Sequence, residues 1–403
     1  MPLDRPVLTA RDARTMAVAA FTPGSCPQWG LEVETVIRRS TDPAGRPGLA
    51  ELPACHDLAS GSRVTVEPGG QLEISTLTHP RVDDVLDTVA ADERELGHRL
   101  AAVGLRPTSG AVDVYRCPAR ILALPRYQAM EAFFDARGPD GRQMMCNTAS
   151  LQINISHHAT DPARRWRLLH TLGPVLVAAF ANSPGRDSDG ACWASLRQRI
   201  WAGIDPGRTT APDLSADPVD AWADYALAAD VMLIRTGRAG TAMAAGLLPG
   251  LSFGDWLRRG HPTGWPSADD LAYHVTTLFP PIRPRGWLEL RMLDALPPAV
   301  REVAVIVIAA ALQDQVDAEL IARMPDTSEL WTAAARHGLR HDLLAGAARL
   351  LFDLAMPAVP LVTNRDDRLE RVLRYRDSHI AQRLQPWAGR SGDVWERRLT
   401  RTG

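Results

Sequence analysis

Gly30-Leu31-Glu32-Val33-Glu34 and Val64-Thr65-Val66-Glu67-Pro68-Gly69-Gly70-Gln71-Leu72-Glu73-Ile74 are the two stretches on which the fold turns. In each, acidic side chains recur two residues apart between apolar neighbours. Leu151-Gln152-Ile153-Asn154-Ile155 and Trp287-Leu288-Glu289-Leu290-Arg291 repeat the pattern with amides and an arginine. On a β-strand, residues i and i+2 share a face. Each segment therefore reads as a strand with a polar side and an apolar side. Proline ends the strand that carries Glu67, and the two glycines permit a tight turn into the strand that carries Glu73.

Carboxylates on an inner sheet face make a poor core and a good cradle for a divalent cation. Glu32, Glu34, Glu67, Glu73 and Glu289 gathered on one cavity would repel strongly unless cations neutralised them. Oxygen-only ligation suits Mg²⁺ or Mn²⁺ better than zinc. Gln152 and Asn154 could add neutral oxygen ligands or orient water. Arg291 shares a face with Glu289 and could neutralise charge on a transferred phosphoryl group. Arg197, Arg283 and Arg285 are further candidates for a substrate carboxylate or a nucleotide phosphate. The same alternation is also compatible with amphipathic strands facing water, and each arginine with a surface ion pair.

The bulk composition removes several classes. The chain has 403 residues, 45% apolar and 23% charged, with 45 basic against 47 acidic residues. A net charge of −2 argues against a general nucleic-acid binder. Every basic residue other than histidine is arginine. A P-loop and a Schiff-base enzyme both need lysine, so neither class applies. Any phosphate here is held by arginine, backbone N–H groups or metal. Cys26, Cys55, Cys117, Cys146 and Cys192 are odd in number and lack C-x-x-C spacing, which disfavours a zinc knuckle or a disulfide framework. Cys146 reads as a buried thiol. His157, His158 and His274 form no H-E-x-x-H motif. The N-terminus, with Asp4, Arg5, Arg11, Asp12 and Arg14, does not read as a secretory signal. The apolar run Val303 to Leu312 is too short to span a bilayer. The expectation is a cytoplasmic protein with no membrane or nucleic-acid partner; monomer is a plausible state.

Periodicity predicts helices over 9–21, 82–103, 126–136, 162–181, 193–201 and 219–235. Short helices and turns are expected over 251–279. Strands are expected over 30–38, 63–67, 71–76, 148–157 and 287–293, and a loop over 42–61. After Pro297-Pro298 the chain reads as helical: 299–322, 327–335, 340–355 and 364–385. The expected class is α+β, a largely antiparallel sheet backed by helices, with a helical C-terminal region at 299–403. No convincing linker interrupts it, so residues 1–403 read as a single unit.

These residues resemble the glutamate–cysteine ligases of the branch that joins plant-type enzymes and the actinobacterial enzymes of ergothioneine biosynthesis. The likeness rests on the first two stretches above and on Gln152-Ile153-Asn154. It is closer to the actinobacterial side through Ala181-Asn182-Ser183-Pro184, Ser195-Leu196-Arg197-Gln198-Arg199-Ile200-Trp201 and Asp205-Pro206-Gly207-Arg208-Thr209. Asp224-Tyr225-Ala226-Leu227, Thr276-Thr277-Leu278-Phe279-Pro280-Pro281 and the run from Arg283 to Asp294 complete it. The resemblance implies a glutamine-synthetase-like catalytic fold and ATP-dependent ligation. ATP would phosphorylate the γ-carboxylate of L-glutamate, and the amine of L-cysteine would displace phosphate. It implies that Glu32, Glu34, Glu67, Glu73 and Glu289 hold Mg²⁺, with Mn²⁺ possible, and that Gln152 and Asn154 lie in or beside that shell. Glu289 and Arg291 would be catalytic, Arg285 and Arg291 would meet the nucleotide, and Arg197, Arg283, Gln152 and Asn154 the substrate. Two alternatives stay open: a related ligase with a different amine acceptor, and a metal-dependent guanidino-type phosphotransferase.

Overall fold

The computed structural model describes residues 8–22, 27–42, 44–53, 57–236, 243–247 and 249–381. Cys26, Cys55, Asp4, Arg5, part of the 42–61 loop and the end of the 364–385 helix lie outside the described residues. Eleven strands occur in chain order: β1 Trp29–Arg39, β2 Arg63–Val66, β3 Leu72–Ser75, β4 Leu105–Thr108, β5 Ser150–Ile155, β6 Gly185–Arg186, β7 Cys192–Trp193, β8 Leu233–Thr236, β9 Met243–Gly246, β10 Ile282–Pro284 and β11 Leu288–Asp294. One sheet follows the order β10-β11-β5-β1-β3-β2, with β4 also paired to β1; β6-β7 and β8-β9 are separate hairpins. Every pairing in the main sheet is antiparallel.

Register turns the sequence alternation into two surfaces. Glu32 lies opposite Gln152 and Glu34 opposite Glu73. Glu289 lies opposite Asn154 on one side and Arg283 on the other. Directly paired residues share a face, so the polar positions form one continuous field across five strands. The intervening Leu31, Val33, Leu72, Ile74, Leu151, Ile153, Ile155, Leu288 and Leu290 are all buried.

While Leu72 and Ile74 pack in a second cluster with Leu96 and Leu100, the helices Pro162–Phe180 and Pro298–Ala311 belong to the largest apolar cluster together with Leu31, Val33 and the β5 and β11 residues. That cluster draws on residues from Ala17 to Ile380, so the C-terminal helices are part of the same core as the sheet. Val303 to Leu312 is buried throughout, as its unbroken apolar run requires. Asp342–Val362 is the one described stretch long and apolar enough to cross a membrane. Its helix is interrupted at Met356–Ala358, and Leu344, Leu351 and Phe352 are buried within the protein.

Several boundaries differ from those read in the sequence. The helix expected over 193–201 is Leu196–Ile204, because Ser195 caps it by accepting from the Gln198 N–H. The helix expected over 219–235 stops at Ala228, and β8 follows. The run expected as one helix over 299–322 divides at Leu312-Gln313 into Pro298–Ala311 and Asp314–Arg323. The helix Asp140–Asn147 and the strands β4 and β10 had no clear sequence signature, being short or half apolar.

The Pro68-Gly69-Gly70 turn sets where Glu67 and Glu73 stand. A Cβ on Gly69 would meet the Cys146 carbonyl oxygen at 2.2 Å and its Cα at 2.4 Å, backbone atoms that cannot rotate away. Gly70 has φ +87°, a conformation that glycine adopts without strain. We predict that Gly69→Ala destabilises the protein by about 1–3 kcal/mol through overpacking, measured by denaturant unfolding. Gly69 is not among the positive-φ glycines, so its cost is steric, whereas Gly190→Ala, with φ +82° and open space for a Cβ, carries the backbone cost alone.

Candidate active site

The polar sheet face floors a cleft of about 250 Å³. Glu32, Glu34, Glu67, Glu73, Glu289 and Gln152 line it, and so do Arg126, Arg283, Arg285 and Arg291. Five acids thus face four arginines, but the charges are not mixed evenly. The arginine side of the cleft gathers on Glu289. Arg283 holds that carboxylate with two parallel bonds, Nε to Oε2 at 2.9 Å and Nη2 to Oε1 at 2.8 Å. Arg291 Nη1 also donates to Oε1, and Arg285 stands 3.5 Å from Oε2. Burial alone would raise the Glu289 carboxyl; Arg283 and Arg291 overcome it and bring it to about 2.

The other four acids have no such neutralisation. Burial raises Glu73 to about 9, helped by Glu34, Glu32 and Glu67. Burial and the Glu34 charge raise Glu67 to about 7. Glu32 is raised by burial and by Glu289, with the Asn154 hydrogen bond working against them. Hydrogen bonds fix where these oxygens stand. Glu34 accepts from the Ser150 N–H at 2.7 Å and from Gln152 Nε2 at 3.3 Å. Asn154 Nδ2 donates to Glu32 at 3.0 Å, and Ser75 Oγ donates to Glu73 at 3.0 Å. Among the described residues no three acidic, His or Cys side chains converge as a ready-made metal group. The four acids line the cleft instead as hard oxygen donors, and Glu32, Glu67 and Glu73 carry raised proton affinity. That donor set fits a divalent cation of the Mg²⁺ type.

Arg291 owes its position to a break in the ladder. Leu290 pairs with Ile153 but Leu293 pairs with Leu151, so β11 carries one extra residue at Arg291-Met292. A bulge re-aims a side chain. Arg291 here donates to Gln152 Oε1 as well as to Glu289. Its backbone is held too: its N–H donates to the Pro281 carbonyl at 2.8 Å, and its carbonyl accepts from Arg197 Nη2 at 3.0 Å.

This geometry corrects four sequence expectations. Arg283 is not free for a substrate carboxylate, because Nε and Nη2 hold Glu289 and Nη1 donates to the Leu278 carbonyl at 2.9 Å. Arg197 is 1% exposed beneath the Trp201 ring and does not line the cleft; it holds the Arg291 backbone. Asn154 does not line the cleft either, since its amide is fixed between Glu32 and the Trp287 indole N–H, 2.9 Å from Oδ1. Glu289 does face the cleft, but its charge is spent on arginine. A carboxylate has about four acceptor sites, so it keeps room for an ion without adding net charge to a cradle. Gln152, Arg285 and Arg291 stand in the cleft as expected.

Sequence reasoning missed Arg46, Arg126, Tyr127 and Gln71. Arg46 lies in the loop expected to be unremarkable. It donates to the Gly69, Cys146 and Cys117 carbonyls and to Asn147 Oδ1, and so ties the Glu67 turn to the segments behind it. Gln71 Nε2 adds a bond to the Thr148 carbonyl at 2.9 Å. Arg126 and Tyr127 reach the cleft from the first turn of the helix Pro125–Asp135, and Arg126 bonds Thr276 at 3.0 Å. None of these sits in an alternating strand, so periodicity gave no sign of them.

Other motifs that carry the family resemblance are struts. Asp294, fully buried, accepts from the Asn182 N–H and Ser183 Oγ at 2.8 Å and from Ser195 Oγ at 2.9 Å. Arg208 bonds Asp205 at 2.8 Å, the Thr277 carbonyl at 2.8 Å and the Asp230 carbonyl at 2.7 Å. His157 and His274 bond the Ala20 and Ala226 carbonyls at 2.9 Å, away from the cleft. Burial pushes the Cys146 thiol up to about 11, which leaves it inert as a nucleophile.

A sheet that carries paired carboxylates beside an arginine cluster is the architecture of a metal-assisted phosphoryl-transfer site. The profile described as Glutamate-cysteine ligase family 2 (GCS2) matches residues 28–379, and the chain belongs to that family. A glutamate–cysteine ligase, EgtA, of Mycolicibacterium smegmatis is 39% identical over 347 residues, covering 82% of this chain and 80% of the relative. EgtA of Mycobacterium tuberculosis is 36% identical over 370 residues, covering 86% and 83%. The crystal structure of a Francisella tularensis glutamate–cysteine ligase in complex with AMP shares the fold, with a TM-score of 0.54 at 16% identity, covering 94% of this chain and 86% of that one.

The metal-free protein should lose stability as pH rises. Glu67 and Glu73 have ordinary values near 4.5 and folded values of about 7 and about 9. Below 4.5 both states are protonated and the contribution is fully present. Above it the unfolded chain ionises first, and the contribution is lost as pH passes each folded value. The thermal midpoint measured in chelator should therefore fall between pH 5 and 9, and saturating Mg²⁺ should flatten that fall.

Proposed function

We propose that this protein joins the γ-carboxylate of L-glutamate to the amine of L-cysteine at the expense of ATP, giving γ-glutamylcysteine, ADP and phosphate. The observation that carries this reading is the half-buried row Glu32, Glu34, Glu67 and Glu73, which forms no ion pair among the described residues and stands next to Arg291. By the likeness to the actinobacterial relatives, the product feeds ergothioneine biosynthesis in the cytoplasm. The chain works as one catalytic unit.

Glu32, Glu34, Glu67 and Glu73 would hold Mg²⁺. The ion supplies neutralisation of the triphosphate and a template for in-line transfer. Gln152 and Asn154 keep the carboxylates and Arg291 in place through both ends of their amides. Arg291 meets the charge that develops as the glutamate carboxylate attacks the γ-phosphate. Its guanidinium is already fixed, so little reorganisation is needed in the transition state. Glu289 aims Arg291 and Arg283 by accepting from both. Arg285, half exposed at the mouth, and Arg126 across from it are placed to meet the nucleotide phosphates. Attack of the cysteine amine on the acyl phosphate then releases phosphate. No side chain has to act as a covalent nucleophile.

The direct test is mass spectrometry of products from ATP, Mg²⁺, glutamate and cysteine. γ-Glutamylcysteine formed in equal amount with ADP is the expected result. A phosphorylated stable acceptor with no amide would instead identify a guanidino-type phosphotransferase. An amide formed only with another amine would identify a different ligase.

Glu67→Gln separates chemistry from folding. The change removes a repelling acid from a buried cluster, so metal-free stability should hold or rise. Turnover should fall by at least ~10²-fold, the scale of losing a transition-state electrostatic contact. A large loss of stability with retained activity would contradict this role.

A further inference from the structure

Trp287 stands in the turn between β10 and β11 and is 39% exposed, so burial alone does not account for so large a ring. Its side chain is engaged in two directions. The Arg285 guanidinium lies over the ring, 5.1 Å from its centroid. The indole N–H donates to Asn154 Oδ1 at 2.9 Å, and Asn154 Nδ2 donates in turn to Glu32 at 3.0 Å. We propose that Trp287 is a positioning residue that sets Arg285 on the nucleotide side and Glu32 on the metal side from one indole. The proposal rests on the ligase reading above and adds the residue that couples these two groups.

The N–H decides which way the Asn154 amide points. An amide offers an oxygen acceptor at one end and an N–H₂ donor at the other, whereas an indole N–H only donates. Asn154 must therefore turn its oxygen to Trp287, and that leaves its nitrogen for Glu32. The reversed amide would set Oδ1 against the Glu32 carboxylate, acceptor against acceptor. A donor-only partner thus fixes the one orientation that holds Glu32 in place.

The ring face acts on Arg285. That side chain is 41% exposed, and its contact with Glu289 is a loose 3.5 Å. Glu289 already accepts from Arg283 and Arg291. An exposed ion pair of this kind restrains a long side chain only weakly. The face of an indole is the best aromatic partner for a cation, so the ring supplies the restraint that Glu289 does not.

The turn that carries the ring is itself braced. The Arg285 N–H donates to the Trp287 carbonyl at 2.8 Å, and the Gly286 N–H donates to the Ala20 carbonyl at 2.8 Å. His157 Nε2 holds that same carbonyl at 2.9 Å. Gly286 has φ +83°, which glycine adopts without strain. The indole is therefore a fixed reference for both groups.

Binding measurements, read separately from turnover, test the assignment. Mg²⁺ affinity comes from the rise of the thermal midpoint with Mg²⁺ in nucleotide-free protein. Nucleotide affinity comes from calorimetry with the non-hydrolysable analogue AMP-PNP at saturating Mg²⁺. Trp287→Phe keeps a ring and removes the N–H; it should weaken Mg²⁺ binding by ~3-fold or more and change AMP-PNP affinity by less than ~2-fold. Trp287→Leu removes both and should weaken each by ~3-fold or more. In an Asn154→Ala background, Trp287→Phe should have no further effect on Mg²⁺, because the N–H acts only through that amide. Unchanged Mg²⁺ affinity in Trp287→Phe, an undiminished effect in the Asn154→Ala background, or unchanged AMP-PNP affinity in Trp287→Leu would overturn the assignment. So would a fall of both affinities together with the chelator midpoint in Trp287→Phe, the mark of a merely structural ring. If the wild-type protein gains no stability from Mg²⁺, the ligase reading itself fails and this assignment with it, a result visible before any variant is made.

Discussion

Repulsion among four half-buried carboxylates is the constraint around which the rest of the structure is arranged. Two unit charges 4 Å apart interact by about 4 kcal/mol at an effective dielectric near 20. Glu34 and Glu73 sit directly opposite one another across β1 and β3, and Glu32 and Glu67 lie close enough to raise Glu73 further. Such a cluster does not hold itself together. β1 runs through the middle of the sheet, paired to β3, β4 and β5, so its glutamates cannot splay apart without breaking several ladders. The turn behind Glu67 is pressed onto Cys146 and tied by Arg46. The scaffold thus stores the electrostatic strain that a divalent cation would relieve.

The arginine cluster on Glu289 is the counterpart of that strain. Two acids of the same sheet face have opposite environments: Glu289 falls to about 2 and Glu73 rises to about 9. Their residue type is the same, and desolvation pushes both upward. The difference comes from cross-strand neighbours, Arg283 opposite Glu289 and Glu34 opposite Glu73. One end of the cleft is therefore settled and the other is left demanding positive charge. On the proposed reaction, a gradient of this kind would orient a polyanion with its metal toward Glu73 and its transferring phosphoryl toward Arg291.

The floor of this site was legible in the sequence because strand alternation has a period of two, and the glutamates, Gln152 and Arg291 declare it directly. The surroundings were not. Arg283 and Glu289 pair because β10 and β11 fold back on each other, and β10 is too short to be read from pattern. Arg197 looked like a substrate contact, but its burial under Trp201 depends on how a helix seats on β11. Arg46 and Arg126 come from a loop and a helix start, where one arginine among many carries no period. The helix at Asp140–Asn147 and the division at Leu312-Gln313 depend on tertiary packing that outweighs local preference. What periodicity encodes is which face a strand residue takes; which neighbour it meets is set by register.

The bulge at Arg291-Met292 has a consequence for how this chain tolerates change in length. A regular ladder can gain or lose two residues at its end and keep every side chain on its face. β11 cannot, because its extra residue is what turns the guanidinium toward Gln152 while Leu290 and Leu293 both stay in the core. Deleting one residue there would restore a regular ladder with Leu290 and Leu293 still in the core, and would remove the bulge that aims the guanidinium. The spacing from Glu289 to Asp294 therefore matters to the site as much as the residues at its ends.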